Sequence, residues 1–225
     1  MKLNRRNLEH LTDRVAKPVY LGQATRHGIA HIGVGGFHRA HQAYYTDQLL
    51  NSGRDLDWSI CGIGLRDEDR KVRDDLADQD YLYTLFELDD GDDSQSRIIG
   101  SISDMLLAQD NLGAVIDKLA SPDIRIVSLT ITEGGYCIDD SNGEFMASLP
   151  QIQHDLAHPD TPTSVFGVLS AALARRRATG TPAFTVMSCD NLPHNGGVAR
   201  KALLAYTALL DMELHDWIAA DVSFP

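Results

Sequence analysis

The stretch Gly28-Ile29-Ala30-His31-Ile32-Gly33-Val34-Gly35-Gly36-Phe37-His38 decides the fold. Its first part, Gly28 to Gly35, is short and mostly apolar, the pattern of a buried strand. From Phe37 to Leu50 the period becomes helical, with Ala40, Ala43, Tyr44, Leu49 and Leu50 as packing residues. A strand that enters a helix through glycines is where a dinucleotide-binding unit places its phosphate loop. Gly33 permits the tight turn, and Gly35, lacking a Cβ, lets the backbone approach a pyrophosphate. The start of the helix adds unpaired N–H groups and a partial positive charge. The position three after Gly35 holds His38, so the motif is G-x-G-x-x-H. A glycine turn that binds nothing is an open alternative at this point.

Working outward, strand-like and helix-like patterns alternate, which predicts an α/β domain with a parallel sheet covered by helices. Trp58 to Leu65 reads as the second strand, and Glu68 to Ala77 as an exposed helix. Between them Arg66-Asp67-Glu68-Asp69 supplies three adjacent acids, where an NAD site puts a carboxylate for the ribose hydroxyls. Such acids repel a 2′-phosphate and Arg66 softens that repulsion, so NAD is expected over NADP. Acids at a helix start also suit the dipole without any ligand. Tyr81 to Ser101 reads as a hairpin-like insertion turning at Asp89-Asp90-Gly91-Asp92-Asp93, with Arg97 to Ile102 returning. That turn lacks the closing Glu of a calcium loop.

Asn111 to Leu119 reads as a helix, and Ile124 to Thr132 as a strand broken by Glu133-Gly134-Gly135. Asp140-Ser141-Asn142-Gly143 marks a further turn. Thr163 to Thr179 is a helix carrying Arg175-Arg176-Arg177 in its last turn, where cations favour the dipole or reach a phosphate. Ala183 to Cys189 is another buried strand. Asp190 to Gly197 leads from it into a helix from Val198 to Leu210.

The 225 residues suit one large domain or two small ones. Twenty Lys and Arg against 32 Asp and Glu leave a net charge of −12, which argues against nucleic acid or an anionic membrane as partner. No apolar run approaches the ~20 residues of a membrane span. No secretory signal is visible at Met1 to Arg6. Cys61, Cys137 and Cys189 make no disulfide framework, which favours a reducing cytoplasm and small buried thiols. No metal site is expected. His38 and His41 can share a helix face, with His31 one strand earlier, yet no ligand stands at a characteristic offset. There is no G-x-S-x-G elbow. Cys189 near His194 sits beside Asp190, which disfavours a thiolate.

Asn191 follows the carboxyl end of a buried strand, where ligands of open α/β sheets bind. Its amide can donate to a substrate oxygen and stabilise an alkoxide-like transition state. Equally, an Asn at a turn can serve only the backbone.

Three blocks together resemble the polyol-specific long-chain dehydrogenase family. They are Gly33-Val34-Gly35-Gly36-Phe37-His38-Arg39-Ala40-His41-Gln42, Thr130-Ile131-Thr132-Glu133-Gly134-Gly135-Tyr136, and Ser188-Cys189-Asp190-Asn191-Leu192-Pro193-His194-Asn195-Gly196. The resemblance runs along essentially the whole chain. It implies a Rossmann-like dinucleotide-binding domain with β-hairpin insertions and a metal-free, NAD-dependent, reversible oxidation of D-mannitol to D-fructose. Gly33, Gly35 and Phe37 are implied in the cofactor loop, and Glu68 and Asp69 in ribose recognition. Gly36, His38, Arg66, Thr130 and Glu133 complete the implied cofactor set, and Asn191 is one amide of an oxyanion-binding pair.

The family also carries a second, helical domain whose K-x-x-x-x-N-x-x-H motif holds the catalytic lysine. No lysine here fits: Lys201 is followed five residues later by Tyr206. The chain ends at Val222-Ser223-Phe224-Pro225 with no closing helix expected. Residues 1–225 are therefore read as the NAD-binding domain, with 1–27 as an amino-terminal extension. A carboxyl-terminal domain outside this chain is the expected partner, and inactivity of this half alone is expected. Two alternatives stay open: a related substrate such as fructuronate or arabinitol, and a non-catalytic NAD-binding module.

Overall fold

The computed structural model describes residues 2–88, 95–139 and 141–225. Among them a 3₁₀ helix (Arg5–His10) precedes a short strand, β1 (Val15–Ala16), and the chain enters the central sheet at β2 (His27–Ile32). Two helices follow, α1 (Gly36–Ala40) and α2 (Gln42–Asn51), then β3 (Ser59–Gly64) and α3 (Asp69–Ala77). A hairpin, β4 (Tyr83–Glu87) and β5 (Gln95–Ile99), precedes β6 (Ile102–Leu107) and α4 (Ala108–Ala120). Next come β7 (Ile126–Leu129), α5 (Pro150–Ala157), α6 (Val165–Thr179), β8 (Thr185–Ser188), α7 (Asn195–Leu210) and α8 (Met212–Asp221).

The central sheet runs β6-β3-β2-β7-β8, with every neighbouring pair parallel. Counting only these strands in chain order, the arrangement is 3-2-1-4-5, the order of a Rossmann half, and it reverses direction between β2 and β7. Parallel strands buried on both faces need apolar residues throughout, and all six β3 residues are buried. Alternate side chains divide between two cores. Ala30, Ile32, Cys61, Val127 and Leu129 pack with α4, α6 and α7, while Ile29, Ile60 and Met105 pack with α2 and α3. Each fully buried Leu or Ile contributes about 1.5–3 kcal/mol relative to exposure.

Several expectations are corrected. The first helix is two helices, because His41 leaves helical geometry at φ −119°, ψ −88°. The hairpin forms with Tyr83 opposite Ile99, but its return strand stops at Ile99. Ile102 opens a separate strand, β6, at the edge of the main sheet, which the continuous apolar run had concealed. The acidic turn at 89–93 and Asp140 lie outside the described residues. A closing helix does exist: α8 is capped by Asp211, whose carboxylate accepts from the Glu213 and Leu214 amides at 2.8 and 3.1 Å. Helix α5, begun by Pro150 at its first position, was also not anticipated.

Of the three arginines at the end of α6, the middle one is not free to reach a phosphate. Arg176 is 2% exposed and donates to the carbonyls of Leu119, Ser121, Ile124 and Pro182. Arg175 pairs with Asp117 and Arg177 with Glu213. A cluster that composition reads as a cationic helix end is thus one buried strut flanked by two surface ion pairs.

Candidate dinucleotide-binding cleft

A cleft of about 280 Å³ opens at the carboxyl ends of β2, β3 and β7, where the strand order reverses. Gly33, Gly35, Arg66, Asp69, Thr130 and Thr132 are among its walls. That is the position at which open α/β sheets bind ligands.

The two motif glycines do different work. Gly33 leaves β2 with φ +98°, and a Cβ there would be driven into the Thr130 carbonyl, so the turn requires glycine on both counts. Gly35 caps the start of α1 in extended conformation. A Cβ on Gly35 would find nothing nearer than the Gly33 carbonyl at 3.8 Å. The protein's own packing therefore does not exclude a side chain at Gly35. The space it leaves open faces the cleft and is a cradle for a group brought close to the backbone.

Asp69 sits at the first residue of α3, and its carboxylate accepts the Arg66 amide at 2.9 Å. Gly64 lets it approach, since a Cβ on Gly64 would meet the Asp69 Cβ at 2.6 Å. Its remaining acceptor capacity faces the cleft, beside the helix N-terminus.

On the opposite wall Thr130 Oγ1 donates to the Gly33 carbonyl at 2.6 Å. His31 lies beneath both, with Nε2 3.1 Å from the Gly33 oxygen and 3.0 Å from Thr130 Oγ1. Its Nδ1 is 2.8 Å from Ser128 Oγ, which donates to Gln42 Oε1 at 2.8 Å. The glycine turn therefore rests on a buried polar column. Burial, and then the neighbouring His38, hold His31 well below its ordinary pKa, so its neutral form supports the turn.

The carboxyl end of β7 is fastened from β8. The Asp190 carboxylate accepts the Ile131 and Thr132 amides, each at 3.0 Å, and the Tyr136 hydroxyl at 2.7 Å. Thr132 has φ +62° and ψ 167°, a region occupied almost only by glycine and costing on the order of 1–3 kcal/mol. This tie also explains why β7 ends at Leu129 rather than Thr132. Asn195 Nδ2 donates to the carbonyls of Ser188 and Asp190, which fixes the segment carrying Asn191.

Of the residues singled out from sequence, Gly33, Gly35, Arg66, Asp69 and Thr130 converge on the cleft. Gly36 begins α1 with open space around it. His38 turns inward and is 1% exposed, stacked on His31. Phe37 is exposed and stacked on His41. Glu68, Glu133 and Asn191 are exposed and outside the cleft walls. The sequence pointed to His31 only as a possible metal ligand and to Asp190 only as the neighbour of Cys189, and no local signal joined either, or Ser128, to the glycine turn or to β7. Burial raises the pKa of the Cys189 thiol, with Asp190 adding to the shift, which opposes a thiolate nucleophile. Among the described residues no three His, Cys, Asp or Glu side chains gather to hold a metal, and no helix is long and apolar enough to cross a membrane.

The parallel 3-2-1-4-5 order and a glycine turn at the switch point define a Rossmann-type domain. A family model described as the mannitol dehydrogenase Rossmann domain matches residues 27–225, and the chain belongs to that family. Mannitol 2-dehydrogenase of Phaeosphaeria nodorum is 48% identical over 225 residues, covering the whole chain and 39% of the relative. A solved structure of Pseudomonas fluorescens mannitol 2-dehydrogenase, a ternary complex with NAD and D-mannitol, superposes with TM-score 0.97 at 74% identity. It covers all of this chain and 46% of that one. Substrate-free D-sorbitol dehydrogenase superposes with TM-score 0.94 at 43% identity and the same coverage. The chain thus spans less than half the length of these relatives.

Proposed function

We propose that this chain is the NAD-binding part of a polyol dehydrogenase that oxidises D-mannitol to D-fructose. One observation carries the reading. The cleft at the strand-order reversal combines a glycine turn open to a backbone-hugging ligand with a carboxylate on the β3 side. Its similarity at 74% identity is to a protein solved with NAD and D-mannitol. In this reading Gly33 and Gly35 shape the pyrophosphate seat and Gly36 continues it, with Phe37 and His38 following in α1. Asp69 accepts from the adenosine ribose, Glu68 and Arg66 flank it, and Thr130 and Glu133 border the other end. NAD, when bound, supplies the hydride acceptor.

Asn191 is the candidate amide that holds the substrate oxygen as charge develops on it. Removal of one such donor from a preorganised site costs roughly 10²–10³-fold in rate. The base and the residues that read the rest of the sugar are assigned to a carboxyl-terminal domain outside these 225 residues. The chain alone is therefore expected to bind NADH without oxidising polyols. A reducing cytoplasm suits its three unpaired cysteines.

Fluorescence titration with NADH tests the first part, and mixing with a separately produced carboxyl-terminal half tests the second. NADH uptake with restored mannitol oxidation supports the enzyme. Uptake with a folded complex that oxidises no polyol overturns it in favour of a binding module. Greater turnover of fructuronate or arabinitol would reassign the substrate.

A further inference from the structure

We propose that Asp190 is a positioning residue for the far half of the dinucleotide, holding Thr132 in a conformation that threonine does not adopt unaided. The inference rests on the NAD-binding reading above and deepens it.

Three observations meet here. First, Thr132 lines the cleft with φ +62° and ψ 167°, and it is not a glycine. Strained backbone persists only where its surroundings over-determine it, and it concentrates where ligands are clamped. Second, the amide side of Thr132 is held by one carboxylate, while its carbonyl accepts from the Gly135 amide at 3.0 Å. Oδ1 of Asp190 takes the Thr132 amide and Oδ2 takes the Ile131 amide, both at 3.0 Å. Charge-assisted bonds to two successive amides fix the direction of the peptide between them. Third, Asp190 is itself held. Tyr136 donates to Oδ2 at 2.7 Å and lies 2.6 Å from Ser188 Oγ, and Asn195 Nδ2 grips the Asp190 carbonyl at 3.1 Å.

The sheet order says which part of the ligand this affects. Asp69 lies beyond β3, on one side of Gly33 and Gly35, and β7 is on the other side. A dinucleotide with its adenosine ribose at Asp69 and its pyrophosphate at the glycines must extend over Thr130 to Thr132. The nicotinamide half is the part that meets the strained segment. Asn191 follows Asp190 directly, so one short segment sets both the nicotinamide seat and the candidate substrate-facing amide. A carboxylate is required because each amide meets a different oxygen, and asparagine would set an NH₂ donor against one of the two N–H groups.

The test compares NADH with ADP-ribose, which carries the adenosine half and pyrophosphate but no nicotinamide. In Asp190→Asn, NADH affinity is expected to fall about tenfold while ADP-ribose affinity stays within about twofold, the size of one lost charge-assisted bond. Adding Thr132→Gly to Asp190→Asn should restore most NADH affinity, since glycine adopts φ +62° without the clamp. A general structural role for Asp190 would give no such rescue and would weaken both ligands together. Tyr136→Phe, which removes one donor and keeps the carboxylate, covers the case in which Asp190→Asn does not fold. It should weaken NADH about threefold and leave ADP-ribose alone. Equal losses for both ligands, or NADH affinity unchanged in folded Asp190→Asn, overturn the proposal. Failure of the folded parent chain to bind either ligand overturns the NAD-binding reading itself, and this inference with it.

Discussion

The His31 and His38 rings lie face to face, with centroids 3.4 Å apart and planes within 9°. His31 has polar neighbours at both ring nitrogens beneath the glycine turn, whereas both ring nitrogens of buried His38 lack a partner. Two rings so placed cannot both carry charge. Burial lowers His38 from the ordinary 6.5 to about 3, and lowers His31 well below 6.5. The folded chain thus takes up these protons only in strong acid, while the unfolded chain takes them up near pH 6.5. Between those limits the unfolded state binds more protons, so stability falls as pH falls.

From that sign comes the first prediction. His38→Phe keeps a flat ring against His31 and removes one titrating group. At pH 7 its urea midpoint should match or exceed the parent's, because an unsatisfied buried ring has been replaced by an apolar one. At pH 5 it should be more stable than the parent by about 2 kcal/mol, the cost of the missing proton over about 1.5 pH units. Asp47 has the opposite sign, since burial raises its carboxyl pKa, but it is common to both proteins and cancels in the difference. A midpoint difference that does not change between pH 7 and pH 5 would contradict the assignment.

The glycine turn predicts a contrast between two alanine variants. Gly33→Ala combines a positive φ with a Cβ forced onto the Thr130 carbonyl, so loss of at least about 2 kcal/mol of stability is expected, with loss of nucleotide binding. Gly35→Ala meets nothing nearer than 3.8 Å and should unfold at nearly the parent's midpoint. Its Cβ nevertheless enters the space assigned to the pyrophosphate, so NADH affinity should drop at least about tenfold. Denaturation and NADH titration on both variants separate the roles. Equal effects on stability would count against them.

How much of this was legible depends on range. The glycine motif, the acids after β3 and the alternation of strands and helices are local patterns, and they give the fold class. β6 was hidden because only Gly100 and Ser101 separate it from the hairpin's return strand. Asp69 was legible from its place after a strand and Thr130 only through the family resemblance, yet Glu68, next to Asp69, is outside the cleft walls because a helix turns successive side chains by ~100°. The inward turn of His38 could not be read from spacing, since it follows from the His31 ring one strand away. The Asp190 clamp joins residues 58 and 59 apart in sequence, and no local period reports such a bond.

Asp69 offers a prediction on cofactor choice. Its carboxylate lies in the cleft wall, bonded to the Arg66 amide, with capacity left for ribose hydroxyls. Asp69→Ala removes two acceptors and the charge that repels a 2′-phosphate, while Arg66 stays in the same wall. NADH should bind about tenfold more weakly and NADPH more tightly than in the parent. Titrations with both nucleotides measure the ratio, and an unchanged ratio would show the carboxylate to be serving only the helix start.

Arg176 carries the last prediction, near the end of α6 opposite Val165, which lines the cleft. Its guanidinium takes the carbonyls of Leu119, Ser121, Ile124 and Pro182, tying the ends of α4 and α6 to the segments that begin β7 and β8. Burial lowers its pKa to about 10, so it is charged at neutral pH, and it has no carboxylate partner among these contacts. Arg176→Met fills much of the space but leaves four carbonyls without their donor, at roughly 1–3 kcal/mol for each that water cannot reach. Stability should fall by at least about 3 kcal/mol, with Arg176→Lys intermediate because an ammonium cannot span the same fork. Arg175→Met, which removes only a surface ion pair, should change stability by less than about 1 kcal/mol. Urea denaturation of the three variants gives the ranking, and a small effect at Arg176 would mean that water satisfies those carbonyls.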